Sequence, residues 1–261
     1  MLHLHYSLAA VWIAVVLFAG MIGFIEAGRR LGVRQLATVA PDERARSLVG
    51  PGVVYALLSL LIGFTFNGAA ARFDNRRQLI IQEVSATGTA WQRIDALPEE
   101  TQAPIRADFR RYVDAVIAPE SAPTNHDRVL GTSPAVAQAQ HDVWSHTVAI
   151  CVTPVGERAR MLVLPGLNDM FGAVEKERLA REVHPPRMIY AMLAIAAFAG
   201  ALFVGYGMAL APRRNWLHII GVSATIAGAA FVIIELEYPR LGLIRVDSMD
   251  RALVELRASM N

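Results

Sequence analysis

Long uncharged segments alternate with charged ones along this 261-residue chain. A helix needs about 20 predominantly apolar residues to cross a hydrocarbon core of about 30 Å. Four segments meet this length without any Asp, Glu, Lys or Arg: Leu8–Ile25, Leu48–Ala71, Met188–Ala211 and Trp216–Ile234. The pattern predicts an all-α, polytopic membrane protein with four transmembrane helices in two pairs.

The first segment is expected to be a retained membrane helix rather than a cleaved signal peptide. Residues 1–7 contain no Lys or Arg, the apolar run is longer than a signal core, and no A-x-A site follows it.

Helical periodicity continues beyond the second segment. Apolar residues recur there three to four positions apart, as an amphipathic helix requires: Phe73, Leu79, Ile80, Val84, Trp91, Ile94 and Leu97. No proline lies between Pro51 and Pro98. We therefore expect one helix of about 45 residues, about 65 Å long, that leaves the bilayer.

The polar middle of the chain predicts a central helical soluble domain. Further helices are expected at Ala103–Ile117, Pro134–Thr153, Pro154–Leu164 and Asn168–Val183, with Pro165-Gly166 as a break. The expected organisation is a first helix pair (1–71), the central domain (72–186), a second helix pair (187–235) and a C-terminal tail (236–261). So small a bundle predicts that packing between subunits supplies additional burial.

Composition agrees with a membrane protein. Hydrophobic residues make up 54% and charged residues 18%, against about 45–50% and 25% in soluble domains. The net charge of +2 gives no electrostatic support for nucleic-acid binding. Cys151 is the single cysteine, so no disulfide framework or cysteine metal cluster is expected.

Catalytic motifs are missing from the sequence. His141 and His146 are five residues apart, so they do not share a helix face as two metal ligands would. No nucleophile elbow, phosphate-binding loop, zinc-protease motif or dinucleotide fingerprint occurs. We therefore expect no enzyme activity, no metal and no cofactor.

Two motifs follow the second and fourth segments. The first is Phe64-Thr65-Phe66-Asn67 followed by Ala71-Arg72-Phe73-Asp74, and the second is Glu235-Leu236-Glu237-Tyr238-Pro239 followed by Gly242. Together they resemble the bestrophin-like bacterial membrane family and, more distantly, the bestrophin ion channels. Phe73, Asp74, Pro239 and Gly242 carry this resemblance.

The resemblance implies an oligomeric ion channel or passive ion conductance in a bacterial cytoplasmic membrane. Five copies would surround one pore for small inorganic ions, lined by the second helix. Asn75-Arg76-Arg77 stands where the channels have tryptophans, and no acidic cluster follows Pro239. Calcium gating is therefore not part of the expectation.

The side of the membrane that the central domain faces has two opposed indications. Arginines in the first connection and in the second hairpin place both connections in the cytoplasm and the central domain outside. The family resemblance instead places the central domain in the cytoplasm.

Pore candidates lie on one face of the second helix. Leu60, Phe64 and Asn67 share this face, with Leu57 one turn earlier. An apolar ring of this kind can gate by dewetting. The alternative is packing against lipid and neighbouring helices, and Asn67 fits either a polar ring in the pore or an interhelical hydrogen bond.

Charged candidates flank the membrane segments on the side of the central domain: Arg72, Asp74, Arg76, Arg77, Glu235 and Glu237. They form either a ring of charge at a pore mouth or interfacial pairs. One hypothesis pairs Glu235 and Glu237 with Arg72, Arg76 or Arg77, which would link the last helix to the second. Glu26 lies on the opposite side. The function alternative to a channel is a non-conducting membrane sensor or scaffold.

Overall fold

The protein is all-helical throughout the part of the chain that the structure describes. This computed structural model describes residues 2–36, 50–121, 133–211, 214–238 and 247–260. Within those ranges the α-helices are α1 (Leu2–Leu36), α2 (Gly50–Arg93), α3 (Glu99–Ser121), α4 (Pro134–Cys151), α5 (Glu157–Glu182), α6 (Arg187–Gly207), α7 (Trp216–Glu237) and α8 (Asp247–Ser259). Short 3₁₀ turns follow α2 and α6. The all-α prediction is confirmed.

Four helical segments among the described residues are long and apolar enough to cross a membrane. They lie within Ala9–Gln35, Val53–Ala96, Glu157–Gly207 and Trp216–Glu237, and the third of these ranges takes in both α5 and α6. Each range contains most or all of one of the four uncharged segments of the sequence. The prediction of four transmembrane helices is therefore confirmed.

The chain divides into two compact units. The membrane unit comprises His3–Phe73 and His184–Ile244, and the central unit comprises Asp74–Val183 and Arg245–Asn261 together with Met1–Leu2. Helix α2 contributes residues to both units as one uninterrupted helix of 44 residues. The predicted single long helix is therefore confirmed, and at 1.5 Å per residue it extends about 66 Å.

Helices α1 and α6 of the membrane unit touch through their backbones. A Cβ atom placed on Gly28 would lie 1.9 Å from the Leu202 carbonyl oxygen, and one on Gly205 would lie 1.8 Å from the Ile25 carbonyl oxygen. Glycine is the residue that permits this approach, which brings Cα–H groups against carbonyl oxygens on both helices. Phe24 of α1 also stacks on Phe198 of α6 at a centroid distance of 4.8 Å.

The central unit has its own apolar core. Fully buried side chains include Phe109 and Tyr112 from α3, Val143 from α4 and Leu167 from α5. Leu253 of α8 and Met260, which directly follows α8, belong to the same core. Arg257 of α8 also makes a bidentate contact with Asp114 of α3, with both N–O distances at 2.8 Å.

The expected break at Pro165-Gly166 is wrong, because α5 continues through both residues from Glu157 to Glu182. The ring of Pro165 is exposed, while Val163, Leu167 and Met170 on the opposite face are buried. A proline inside a helix costs about 3 kcal/mol. Burying a large apolar side chain stabilises by about 1.5–3 kcal/mol, so the residues flanking Pro165 are sufficient to hold the helix together.

Candidate functional site

One face of α2 is exposed over the whole of its membrane segment. We call this face the α2 stripe; its members are spaced alternately four and three residues apart, and all are exposed: Val53, Leu57, Leu60, Phe64, Asn67, Ala71 and Asp74. Phe64 is the bulkiest member, and 68% of its surface is exposed. All four pore candidates predicted from the sequence, together with Asp74, therefore lie on one continuous surface.

Asn67 is the polar residue within the membrane part of the stripe. Its side chain is exposed and forms no hydrogen bond with any residue that the structure describes. Thr65, two residues earlier, behaves differently, because its hydroxyl donates to the Leu61 carbonyl oxygen at 2.7 Å. The polar group of Thr65 is thus satisfied within its own helix, whereas the carboxamide of Asn67 is directed away from the chain.

An ion pair joins α2 to α7 at one end of the membrane unit. The carboxylate of Glu237 is fully buried. Arg72 Nε donates to both of its oxygens, at 3.2 and 3.0 Å, and Arg72 Nη2 lies 3.0 Å from Oε2. His184 Nδ1 lies 3.4 Å from Oε1, and the His184 ring stacks on Tyr238. A buried carboxylate needs such partners, since an unpaired buried charge is strongly destabilising.

The other charged candidates make contacts of their own. Arg76 is buried in the central unit, where it donates to the carbonyl oxygens of Ala180 and Val183 at 3.3 and 3.1 Å. These carbonyls belong to the C-terminal end of α5, where backbone acceptors lack helical partners. Asp74 and Arg77 pair at 3.6 Å on the surface of α2. Glu235 is buried in the membrane unit.

Sequence reasoning missed a second charged cluster at the opposite end of the membrane unit. Arg30 Nε donates to Glu26 Oε1 at 2.9 Å, and Arg214 Nη2 donates to the same oxygen at 3.2 Å. Arg29 lies 3.7 Å from the other oxygen of Glu26. Arg214 lies two residues before α7 and Glu237 is its last residue, and the 22 residues of α7 extend about 33 Å at 1.5 Å per residue. Charges therefore flank a slab that matches a hydrocarbon core of about 30 Å.

The central unit contains a third cluster that sequence reasoning missed. His146 Nδ1 lies 2.6 Å from Asp108 Oδ2, and Arg111 binds the other oxygen of the same carboxylate. Asp108 is buried, while His146 is largely exposed. Burial, with a smaller contribution from Glu83 and Glu175, raises the pKa of the Tyr112 phenol in the core of this unit well above its usual range. Among the described residues, no group of three or more His, Cys, Asp or Glu side chains is arranged to hold a metal.

Comparison with protein families identifies the chain. The model of the Bestrophin-like domain matches residues 31–249. The chain belongs to the bestrophin-like family. Comparison with curated protein sequences gives no significant match.

Solved structures of bestrophin homologues share the fold. A single-residue variant of a bacterial bestrophin homologue from Klebsiella pneumoniae matches with a TM-score of 0.68 at 12% identity, over 96% of this chain and 100% of that chain. A second variant matches with a TM-score of 0.67 at 15% identity, over 96% and 99%. A variant described as a membrane protein matches with a TM-score of 0.65 at 12% identity, over 95% and 98%.

Membership of the bestrophin-like family places the chain in a family of ion-channel type. Two of its four family-motif residues, Phe73 and Asp74, lie on α2 at the boundary between the two units. The other two, Pro239 and Gly242, lie outside the described residues.

Proposed function

We propose that this bestrophin-like protein is an oligomeric ion channel in a bacterial cytoplasmic membrane, and that the α2 stripe lines its pore. The observation that carries the proposal is the exposed, unbonded carboxamide of Asn67 within a membrane helix. Polar groups at membrane depth face a bundle interior or a watery cavity, because lipid cannot satisfy their hydrogen bonds. A pore along this face would supply the water that Asn67 needs.

The dimensions of the stripe suit a pore across one bilayer. From Val53 to Asp74 the stripe extends about 32 Å at 1.5 Å per residue, close to the thickness of a hydrocarbon core. It changes along this length from the large apolar residues Leu57, Leu60 and Phe64 to the polar residues Asn67 and Asp74. Rings of the apolar residues would form a constriction that gates by dewetting, and the polar rings would form a wider mouth.

One helix face cannot enclose a pore, so the proposal requires several copies of the chain. The family resemblance implies five copies. It also favours a cytoplasmic central unit, whereas the arginine distribution of the sequence favours an external one. A reporter fused at Asn125 would determine that side, because an alkaline phosphatase fusion is active only outside the cytoplasm. Small inorganic ions would cross passively, and the protein would need no cofactor.

The test begins with the purified full chain. Native mass spectrometry gives the number of subunits, and reconstitution into planar bilayers gives the current under varied ions. A stable ring that passes no current overturns the channel and favours a scaffold.

Phe64→Ala tests the constriction against a matched control on the same helix. It is expected to raise the conductance or the open fraction, because it widens the narrowest apolar ring. Phe66→Ala removes the same side chain from a position off the stripe, and it is expected to leave the current unchanged. Equal currents from both variants and from the unaltered protein would place the constriction elsewhere.

A further inference from the structure

A groove opens between α2 and α7 inside the membrane unit. Its volume is about 540 Å³, within the range of small-molecule sites. Leu58 and Ile62 of α2 form one wall, and Val222 and Ile226 of α7 form the other. The groove lies between two membrane helices, so its occupant must come from the bilayer or from another protein.

The length of the groove matches one leaflet. Its α7 side extends from Asn215 to Ile226, which is about 16 Å at 1.5 Å per residue. Half of a hydrocarbon core of about 30 Å is about 15 Å. An acyl chain of one leaflet would therefore fill the groove from end to end.

Polarity changes along the groove as it does along a lipid. Asn215 and His218 line the end at which α7 begins, and Val222, Ile226 and Ile62 line the inner end. Three further polar residues line the groove: Tyr55, Ser59 and Thr225. Two of them are satisfied locally, since Thr225 donates to Gly221 O at 2.8 Å and Tyr55 donates to Gly200 O at 3.1 Å. Apart from the Ser59 hydroxyl, the inner groove therefore presents a mainly apolar wall.

An excess of positive charge lies beside the polar end. Arg214, which directly precedes Asn215, shares the single carboxylate of Glu26 with Arg29 and Arg30. The buried Nε of Arg29 has no hydrogen-bond partner among the described residues. Three guanidinium groups against one carboxylate leave donors for a phosphate, which guanidinium recognises with paired hydrogen bonds.

An exposed aromatic residue marks the same level as an interface. Trp216 follows Asn215 and is about half exposed, and Arg214 lies 5.9 Å from its ring centroid. Tryptophan favours the depth of the lipid headgroups.

We propose that this groove binds one anionic phospholipid per subunit. An acyl chain lies between α2 and α7. The headgroup phosphate contacts Arg214 and the two α1 arginines beside it, Arg29 and Arg30. The inference goes beyond ion conduction and does not depend on it, because the site belongs to a single membrane unit and lies apart from the α2 stripe.

Two glycines of α7 provide a matched pair of variants. Gly221 lines the groove, and a Cβ atom added there meets nothing within 4 Å. Gly228 lies two turns later on the same helix, is equally open, and does not line the groove. Leucine is a better helix former than glycine, so Gly221→Leu and Gly228→Leu gain helix propensity equally, and only Gly221→Leu fills the groove.

The experiment measures lipid bound to the full-length oligomer by native mass spectrometry. The delipidated protein is titrated with phosphatidylglycerol, with phosphatidylcholine of the same chain length, or with inorganic phosphate alone. We expect one phosphatidylglycerol per subunit, at least tenfold weaker binding in Gly221→Leu, and unchanged binding in Gly228→Leu. Arg214→Gln is expected to reduce the preference for phosphatidylglycerol over phosphatidylcholine.

Several outcomes would overturn the proposal. Unchanged lipid binding in Gly221→Leu places any bound lipid elsewhere. Equal binding of phosphatidylglycerol and phosphatidylcholine would exclude recognition of an anionic headgroup. Binding of inorganic phosphate as strong as that of phosphatidylglycerol would exclude a contribution from the acyl chain. A changed subunit number in Gly221→Leu without lipid loss means that a second copy of the chain covers the groove. None of these outcomes bears on whether the protein conducts ions.

Discussion

Replacement of Gly205 by alanine should separate α1 from α6. The added Cβ would lie 1.8 Å from the carbonyl oxygen of Ile25, 2.6 Å from its carbonyl carbon and 2.9 Å from the backbone nitrogen of Arg29. All three atoms belong to the backbone of α1, so no side-chain rotation relieves the contact. The helices must move apart until the carbon and the oxygen reach an ordinary contact of about 3.3 Å, a shift of about 1.5 Å.

The cost of this shift follows from packing. A gap of about 0.5–1 Å already forfeits a quarter to a half of each dispersion contact, and overpacking a tight interface costs about 1–3 kcal/mol. Because the obstacle is backbone, we take the upper end, about 3 kcal/mol. Alanine returns about 1 kcal/mol of helix propensity. The net loss of about 2 kcal/mol is about a 30-fold shift of the unfolding equilibrium.

A second glycine on α1 separates packing from propensity. A Cβ atom on Gly23 meets nothing within 4 Å, so Gly23→Ala is expected to raise stability by up to about 1 kcal/mol. Both variants are unfolded in detergent by a denaturant series, followed by far-ultraviolet circular dichroism. Equal midpoints for Gly205→Ala and Gly23→Ala would refute the backbone contact between α1 and α6.

Three further predictions concern single residues. Glu237→Ala should lower the free energy of unfolding by about 2 kcal/mol, which is less than for a fully buried pair because Arg72 is partly exposed. A double-mutant cycle with Arg72→Ala measures the coupling between the two side chains. Additive losses in this cycle would contradict the ion pair. Burial raises the pKa of the Cys151 thiol above its usual value, so maleimide should label it, by intact mass, only after unfolding; rapid labelling of the folded protein would contradict its burial. Pro165→Ala should raise the free energy of unfolding by about 1–3 kcal/mol, since the helix already runs through this position. A denaturant series measures this change, and a lower free energy would mean that the proline ring is needed for packing.

The membrane helices and the long α2 could be predicted because each depends on a local pattern. An uncharged run of sufficient length has few alternatives to a membrane helix, and the periodicity beyond Phe73 continues without proline. The continuous α5 could not be predicted in this way. The local rule for Pro165 favours a break, and only the burial of Leu167 and Met170 against other helices reverses it.

The charged clusters show where pairing cannot be predicted from sequence. Arg72 and Arg76 are four residues apart and equally suited to Glu237 by pattern. The sequence does not indicate that Arg72 binds both oxygens of this carboxylate, or that Arg76 donates to carbonyls at the end of α5. The pairing of Glu26 with Arg214 joins residues 188 positions apart. Such contacts depend on which helices become neighbours, and a single sequence does not contain that information.

The groove could not be predicted for a similar reason. Gly221 and Gly228 look alike in the sequence, and both have open space around them. Only the positions of Tyr55 and Ser59 on α2 make the first of these two spaces part of a groove.

The uninterrupted course of α2 restricts how its gene can vary. Each residue inserted into a helix turns everything after it by about 100°, since 3.6 residues complete one turn. One extra residue between Asn67 and Arg72 would turn Arg72 away from Glu237 if the preceding half kept its place. Seven extra residues restore the phase to within about 20°. Homologous sequences should therefore differ in length at their loops, and within α2 they should gain or lose residues in near-multiples of seven.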